Sequence, residues 1–115
     1  MNEIKAITEK ILQFRAERDW KQFHNHKDVA LSLVLEAAEV LEHFQWKSPK
    51  EVDKHAEECK GELGDELADV AIYLFELADN LKIDLPRAID QKMAKNAKKY
   101  PIEKAKGRHT KYNTL

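Results

Sequence analysis

Residues 63–81 impose the strongest constraint on what this chain can fold into. Leu63, Leu67, Val70, Leu74, Leu77 and Leu81 recur at spacings of three and four, the period that lines side chains along one face of an α-helix. Ala71, Ile72, Phe75 and Ala78 spread the apolar surface over the flanks, leaving Glu62, Asp65, Glu66, Asp69, Tyr73 and Glu76 on another side. A helix apolar over most of its circumference is buried on several sides. A single small bundle scarcely covers it, so the pattern predicts association with further copies, a symmetric dimer as the minimum.

The remaining chain reads as helix too. Its 115 residues include only three Gly and three Pro, and its runs rich in Ala, Glu, Lys and Leu lose little on entering a helix. No stretch alternates polar with apolar over the length of a strand. A first helix is expected from about Asn2 to Arg18, with Ile4, Ile7, Ile11 and Phe14 on one face. A polar-aromatic loop, Asp19 to Lys27, leads to a second from about Asp28 to Phe44. Ser48-Pro49-Lys50-Glu51 announces a third, with Ser48 as N-cap and Glu51 completing a capping box. It runs to about Leu81, with an interruption expected near Gly61 and Gly64, where glycine weakens the pattern. Asp84-Leu85-Pro86 opens a fourth, which stops before Tyr100-Pro101. The expectation is an all-α, four-helix bundle, one domain over residues 1–115, with a basic, irregular tail at 102–115.

No apolar run approaches the roughly 20 residues that cross a bilayer. The first residues, Met1-Asn2-Glu3-Ile4-Lys5, lack the apolar segment of a signal peptide. Cys59 is the one cysteine, so no internal disulfide is available. These features predict a soluble, cytoplasmic protein with no membrane partner. The net charge of −1 conceals two poles. Residues 28–69 hold twelve Asp and Glu, whereas 92–111 hold eight Lys and Arg against Glu103 alone. Most such charges are solvated surface. The basic stretch is short and carries no recognised nucleic-acid motif, so no nucleic-acid partner is expected.

Chemistry concentrates in two acidic pairs, Glu36-Ala37-Ala38-Glu39 and Glu66-Leu67-Ala68-Asp69. Residues at i and i+3 project from one helix face, within reach of a common ion. Alone, one pair is more often a solvated face than a metal site. Two pairs in the apolar settings LSLVLEAAEVL and ELADVAIYL favour a site, and antiparallel packing of their helices would bring four carboxylates together. Oxygen-only ligation selects a hard cation, magnesium first and manganese as its substitute. A di-iron bundle would need Glu-x-x-His twice, and no glutamate here is followed three residues later by histidine. No Gly-rich phosphate loop is present, so phosphate handling falls to metal and side chains.

The spacing ExxE, twenty-six intervening residues, then ExxD resembles the all-α nucleoside triphosphate pyrophosphohydrolases, the MazG-like enzymes. The segments AERDWKQFH, EHFQW, DELADVAIYL and DLPRAIDQKMAKNAKKYP look most like their dCTP-pyrophosphatase branch. The likeness covers roughly residues 4 to 101.

That resemblance implies hydrolysis of a nucleoside triphosphate, often a deoxy one, to the monophosphate and pyrophosphate. It implies Glu36, Glu39, Glu66 and Asp69 as magnesium ligands, one of them also polarising the attacking water. Tyr73, Lys92 and Asn96 match positions that contact sugar or phosphates. Trp20 and Trp46 match positions that line the base pocket, while Lys99 and Tyr100 belong to the same closing motif. Assembly as a dimer or a tetramer is implied, with sites at the subunit interface. Ile11 stands where some cytosine-preferring relatives carry a polar residue, a departure that bears on base preference. Two other readings remain open. One is an all-α pyrophosphatase acting on another nucleotide, such as a phosphoribosyl nucleotide. The other is a non-enzymatic helical interaction module whose acidic stripe only solubilises a dimer.

Overall fold

The computed structural model describes residues 2–115. Among them every regular element is helical: α1 (Glu3–Glu17), α2 (His26–Glu42), α3 (Pro49–Glu58), α4 (Lys60–Asn80), α5 (Leu85–Lys99) and the short α6 (Ile102–Ala105), with 3-10 turns at Lys21–Phe23 and Tyr112–Thr114. The all-α expectation holds.

The helix starts follow local side-chain chemistry. The carboxamide oxygen of Asn2 accepts from the Lys5 amide at 2.7 Å. Asn25 does the same for Asp28 at 2.9 Å, which satisfies an orphan amide of the first turn. That cap starts α2 at His26 rather than at the expected Asp28. Ser48 and Glu51 form the anticipated capping box, and Asp84 caps α5.

The long third helix is two helices. The interruption lies at Cys59, where φ is −111° and ψ 27°, and both Gly61 and Gly64 sit inside α4 with open space where a Cβ would stand. Glycine's weak propensity did not locate the break, because propensity is a prior that tertiary context overrides.

The chain forms two compact units that divide after Lys82. In the first, α4 is the central element and packs against α2 most extensively, then α1 and α3. Side-chain partners give the α2–α4 pair its direction. Ser32 meets Tyr73, Glu36 feels Asp69 and Glu66, and His43 reaches Glu66. Rising numbers on α2 meet falling numbers on α4, so the helices run antiparallel.

This arrangement leaves a thin core. Val29, Leu63 and Ala78 are the deeply buried apolar residues. Of the leucine stripe on α4 only Leu63 joins them; Leu67 remains 57% exposed and Leu81 44%. Leu31, Val34, Leu35 and Leu41 on α2 are likewise exposed.

In the second unit the chain beyond α5 turns back on itself. Tyr112 packs edge-on to Tyr100, with ring centroids 6.1 Å apart, and the Lys99 ammonium lies 4.7 Å from the Tyr112 ring centre, a cation–π contact. Among the described residues no helix is long and apolar enough to cross a membrane.

Candidate active site

Glu36 on α2 faces Glu66 and Asp69 on α4, with Glu39 beside it on its own helix. The Oε2 atoms of Glu36 and Glu66 are buried and make no hydrogen bond. An acceptor so placed carries a desolvation cost. The Glu36 carboxyl accordingly titrates above its ordinary value of 4.5, through burial first, then Glu39 beside it, then Asp69 and Glu66. Like charges gathered away from water oppose one another's ionisation.

Glu39, Glu66 and Asp69 therefore act on the Glu36 carboxyl without the four being drawn onto a common point. Among the described residues, no group of three or more His, Cys, Asp and Glu side chains already stands in a metal-holding arrangement. What the structure does contain is repulsion on the Glu36 carboxyl and two buried acceptor oxygens without a hydrogen bond, both of which a hard divalent cation would relieve. The residues fit such an ion.

Glu66 has support behind it. His43 Nε2 lies 2.7 Å from Glu66 Oε2, at ion-pair distance but without the alignment of a hydrogen bond. His43 Nδ1 meets His55 Nε2 at 2.7 Å, and His55 Nδ1 stands 3.6 Å from Cys59 Sγ. Outer contacts of this kind orient a ligating carboxylate. His43 continues the acidic face of α2, seven positions after Glu36 and four after Glu39, but periodicity held no signal that His55 of α3 and Cys59 at its end would meet it.

A cavity of about 420 Å³ opens beside the carboxylates, lined on one side by Asp69, Tyr73 and Trp20 and on the other by apolar residues of α1, including Ile7, Ile11 and Phe14. The Tyr73 hydroxyl is held above its ordinary value of 10.0 by burial, then by the charges of Glu36, Glu76 and Asp69, against an opposing hydrogen bond with Ser32. It keeps its proton at neutral pH and serves as a donor. Trp20 lines the cavity, edge-on to Phe14 with ring centroids 5.9 Å apart.

Trp46 lies elsewhere: it does not line this cavity, is 92% exposed, and has a left-handed φ of 66°. Lys92 and Asn96 lie on α5 in the second unit, one turn apart on a shared face, Lys92 exposed and Asn96 half-buried.

Periodicity missed the deepest polar group of the molecule. Glu76 is 2% exposed and lines the same cavity, with Arg15 and His24 beside it. The sequence pattern did put Glu76 on the polar side of its helix with Asp69 and Tyr73. It held nothing to show that this side would be covered.

The proton affinity of Glu36 makes a stability prediction. The fold raises its pKa, so the folded chain holds the proton more tightly than the unfolded one. The stabilising contribution is complete below the unfolded value near 4.5 and is lost as pH rises through the folded value. At pH 7 and without metal, Glu36→Gln should therefore melt at a higher temperature than the parent. The amide removes one repelling charge and can donate to Glu39. The advantage should shrink as pH falls toward 4.5; a variant less stable than the parent at pH 7 would contradict the buried-repulsion account.

Comparison with known proteins bears on this arrangement. A family described as the MazG-like family matches residues 31–115. The chain is 45% identical over 105 residues to dCTP pyrophosphatase 1 of Rattus norvegicus, covering 90% of this chain and 62% of that protein. Identity to dCTP pyrophosphatase 1 of Homo sapiens is 41% with the same coverage. The chain thus spans about 62% of the length of these curated relatives. A pyrophosphatase from Archaeoglobus fulgidus, known from its crystal structure, superposes with a TM-score of 0.83 at 39% identity, over 88% of this chain and 94% of that one.

Proposed function

Because this chain belongs to the MazG-like family, we propose that it is a divalent-metal-dependent nucleotide pyrophosphohydrolase acting on dCTP or a related deoxynucleotide. The reaction converts the triphosphate and water to the monophosphate and pyrophosphate. The observation that carries this reading is the Glu36 carboxyl set against Glu39, Glu66 and Asp69 across α2 and α4, with buried Glu36 and Glu66 oxygens that accept no hydrogen bond, near a cavity lined by Asp69 and Trp20. The names of the relatives supply the substrate class.

Glu36, Glu39, Glu66 and Asp69 would hold magnesium, with manganese as its substitute. When bound, such an ion neutralises phosphate charge and lowers the pKa of water. One of the four carboxylates accepts the proton of the attacking water as its oxygen adds to phosphorus and the phosphoanhydride bond to the β phosphate breaks. His43 holds Glu66 in orientation. Tyr73 donates its hydroxyl toward sugar or phosphate, and Lys92 and Asn96 bind phosphate oxygens, as the family resemblance implies. Trp20 stacks on the base, with Trp46 as a second aromatic contact. The exposed leucines of α2 and α4 support a homo-oligomer, dimer or tetramer, since a stable monomer rarely shows so much apolar surface. A free nucleotide substrate fits a cytoplasmic protein.

Pyrophosphate release from the canonical dNTPs and NTPs, 5-substituted dCTPs and a phosphoribosyl nucleotide, with magnesium and with EDTA, tests the reading. The expected result is magnesium-dependent release from dCTP or a close relative, abolished by EDTA. Release from the phosphoribosyl nucleotide alone would shift the substrate class. No release from folded protein would overturn the activity.

A further inference from the structure

The largest fully buried side chains of the protein are Val29 and Glu76, and a carboxylate in that position is unusual. Its Oε1 accepts from Arg15 Nη1 at 3.2 Å and makes a short contact with His24 Nδ1. Arg15 Nη1 also donates to Asn80 Oδ1 at 3.0 Å, and the Asn80 amide donates to the His24 carbonyl at 3.2 Å. Two groups, Arg15 from α1 and His24 from the following loop, thus converge on one carboxylate oxygen, and Asn80 of α4 braces both of them. Buried ion pairs do little for stability compared with apolar packing, so the arrangement calls for another role.

Its location indicates that role. Glu76, Arg15 and His24 line the same cavity as Trp20 and Asp69. Asp69 and Glu76 are seven residues apart on α4, two turns or about 10 Å along the helix, with Tyr73 between them. The cavity therefore has Asp69 toward one end, which suits metal and phosphate, and the buried Glu76 toward the other, and its lining includes the apolar Phe14, Ile11 and Ile72.

Building on the proposed activity, we infer that Glu76 is the specificity-determining residue of the cavity, selecting 4-amino over 4-keto pyrimidines. An ionised carboxylate only accepts hydrogen bonds. Arg15 and His24 both engage Oε1 and so fix the plane of the group, while Oε2 takes no part in the network. The 4-amino group of cytosine donates to Oε2. Uracil or thymine would set the lone pairs of its O4 against the same atom, and the apolar surroundings leave little water to screen that repulsion. His24 also ties the reader to the stacking wall, with its ring centroid 6.1 Å from that of Trp20.

The test compares dCTP with dUTP, which differ at this edge of the base. Wild type should show the higher kcat/KM for dCTP, and E76Q should narrow the ratio by about tenfold or more, chiefly through KM, because an amide presents either an acceptor or a donor. Binding of dCMP and dUMP in EDTA, followed by calorimetry, gives the same comparison without turnover. The double variant Arg15→Met with Glu76→Leu removes both charges together and leaves none unpaired; it should lose the discrimination as well, and it serves should E76Q fail to fold. An unchanged ratio in either folded variant, or equal binding of the two monophosphates by wild type, overturns the assignment. Wild type that favours dCMP in binding yet hydrolyses no nucleotide overturns the proposed activity and leaves the role of Glu76 standing.

Discussion

Replacing Glu39 by Gln is expected to reduce turnover by about 10²–10⁴-fold, the range that a positioned proton acceptor contributes, while the helical spectrum and melting temperature are kept. Glu39 is exposed on α2, so the substitution removes no packing. The amide can neither neutralise a cation nor take a proton from water. It also relieves one of the charges that opposes ionisation of Glu36, so stability should hold or rise. Pyrophosphate release at saturating magnesium, set beside a thermal melt, separates lost chemistry from lost structure. Parental activity in this variant would remove the four-carboxylate mechanism.

The second large effect concerns stability. Arg15→Ala should cost about 3–5 kcal/mol, the range for stripping one partner from a buried ion pair. The Arg15 and Glu76 side chains are 9% and 2% exposed, so water cannot replace the guanidinium. For a chain of this size the melting temperature should drop by about 10 °C or more. Denaturant titration should give the same ranking. Joint replacement with Met and Leu should recover most of the loss. A cost below about 1 kcal/mol, the scale of an exposed pair, would mean that the charges are solvated in solution.

Much of this was legible in the sequence because helices advertise their faces. The i, i+3 pairs Glu36/Glu39 and Glu66/Asp69 project together whatever the tertiary structure, and the four appear on facing helices. Capping residues at Ser48 and Asp84 marked their helix starts for the same local reason. Long-range partnership was not legible. Arg15 and Glu76 are separated by 61 positions, and periodicity carries no information about which distant cation a carboxylate meets. The contacts of His24, from the polar-aromatic loop to Glu76 and Asn80, are long-range in the same way. The break falls at Cys59, just before the glycines that marked the interruption, because glycine shows where a helix is weak and not which residue leaves helical backbone. Periodicity marked the leucine stripe as apolar surface but not what covers it: Leu67 and Leu81 stay 57% and 44% exposed within a single copy.

The single uninterrupted helix beneath both ends of the cavity has an evolutionary consequence. Asp69, Tyr73 and Glu76 are graduations on one rigid ruler, each fixed relative to the others by helical rise and rotation. Point substitution at position 76 can retune which base is accepted while the hydrolytic end stays in place. A one-residue insertion between 69 and 76 would swing the reading end by about 100° and uncouple the two. Divergence in such a scaffold should proceed by exchanging side chains along α4 and by varying the loop opposite it, with the length of the helix between the two ends conserved.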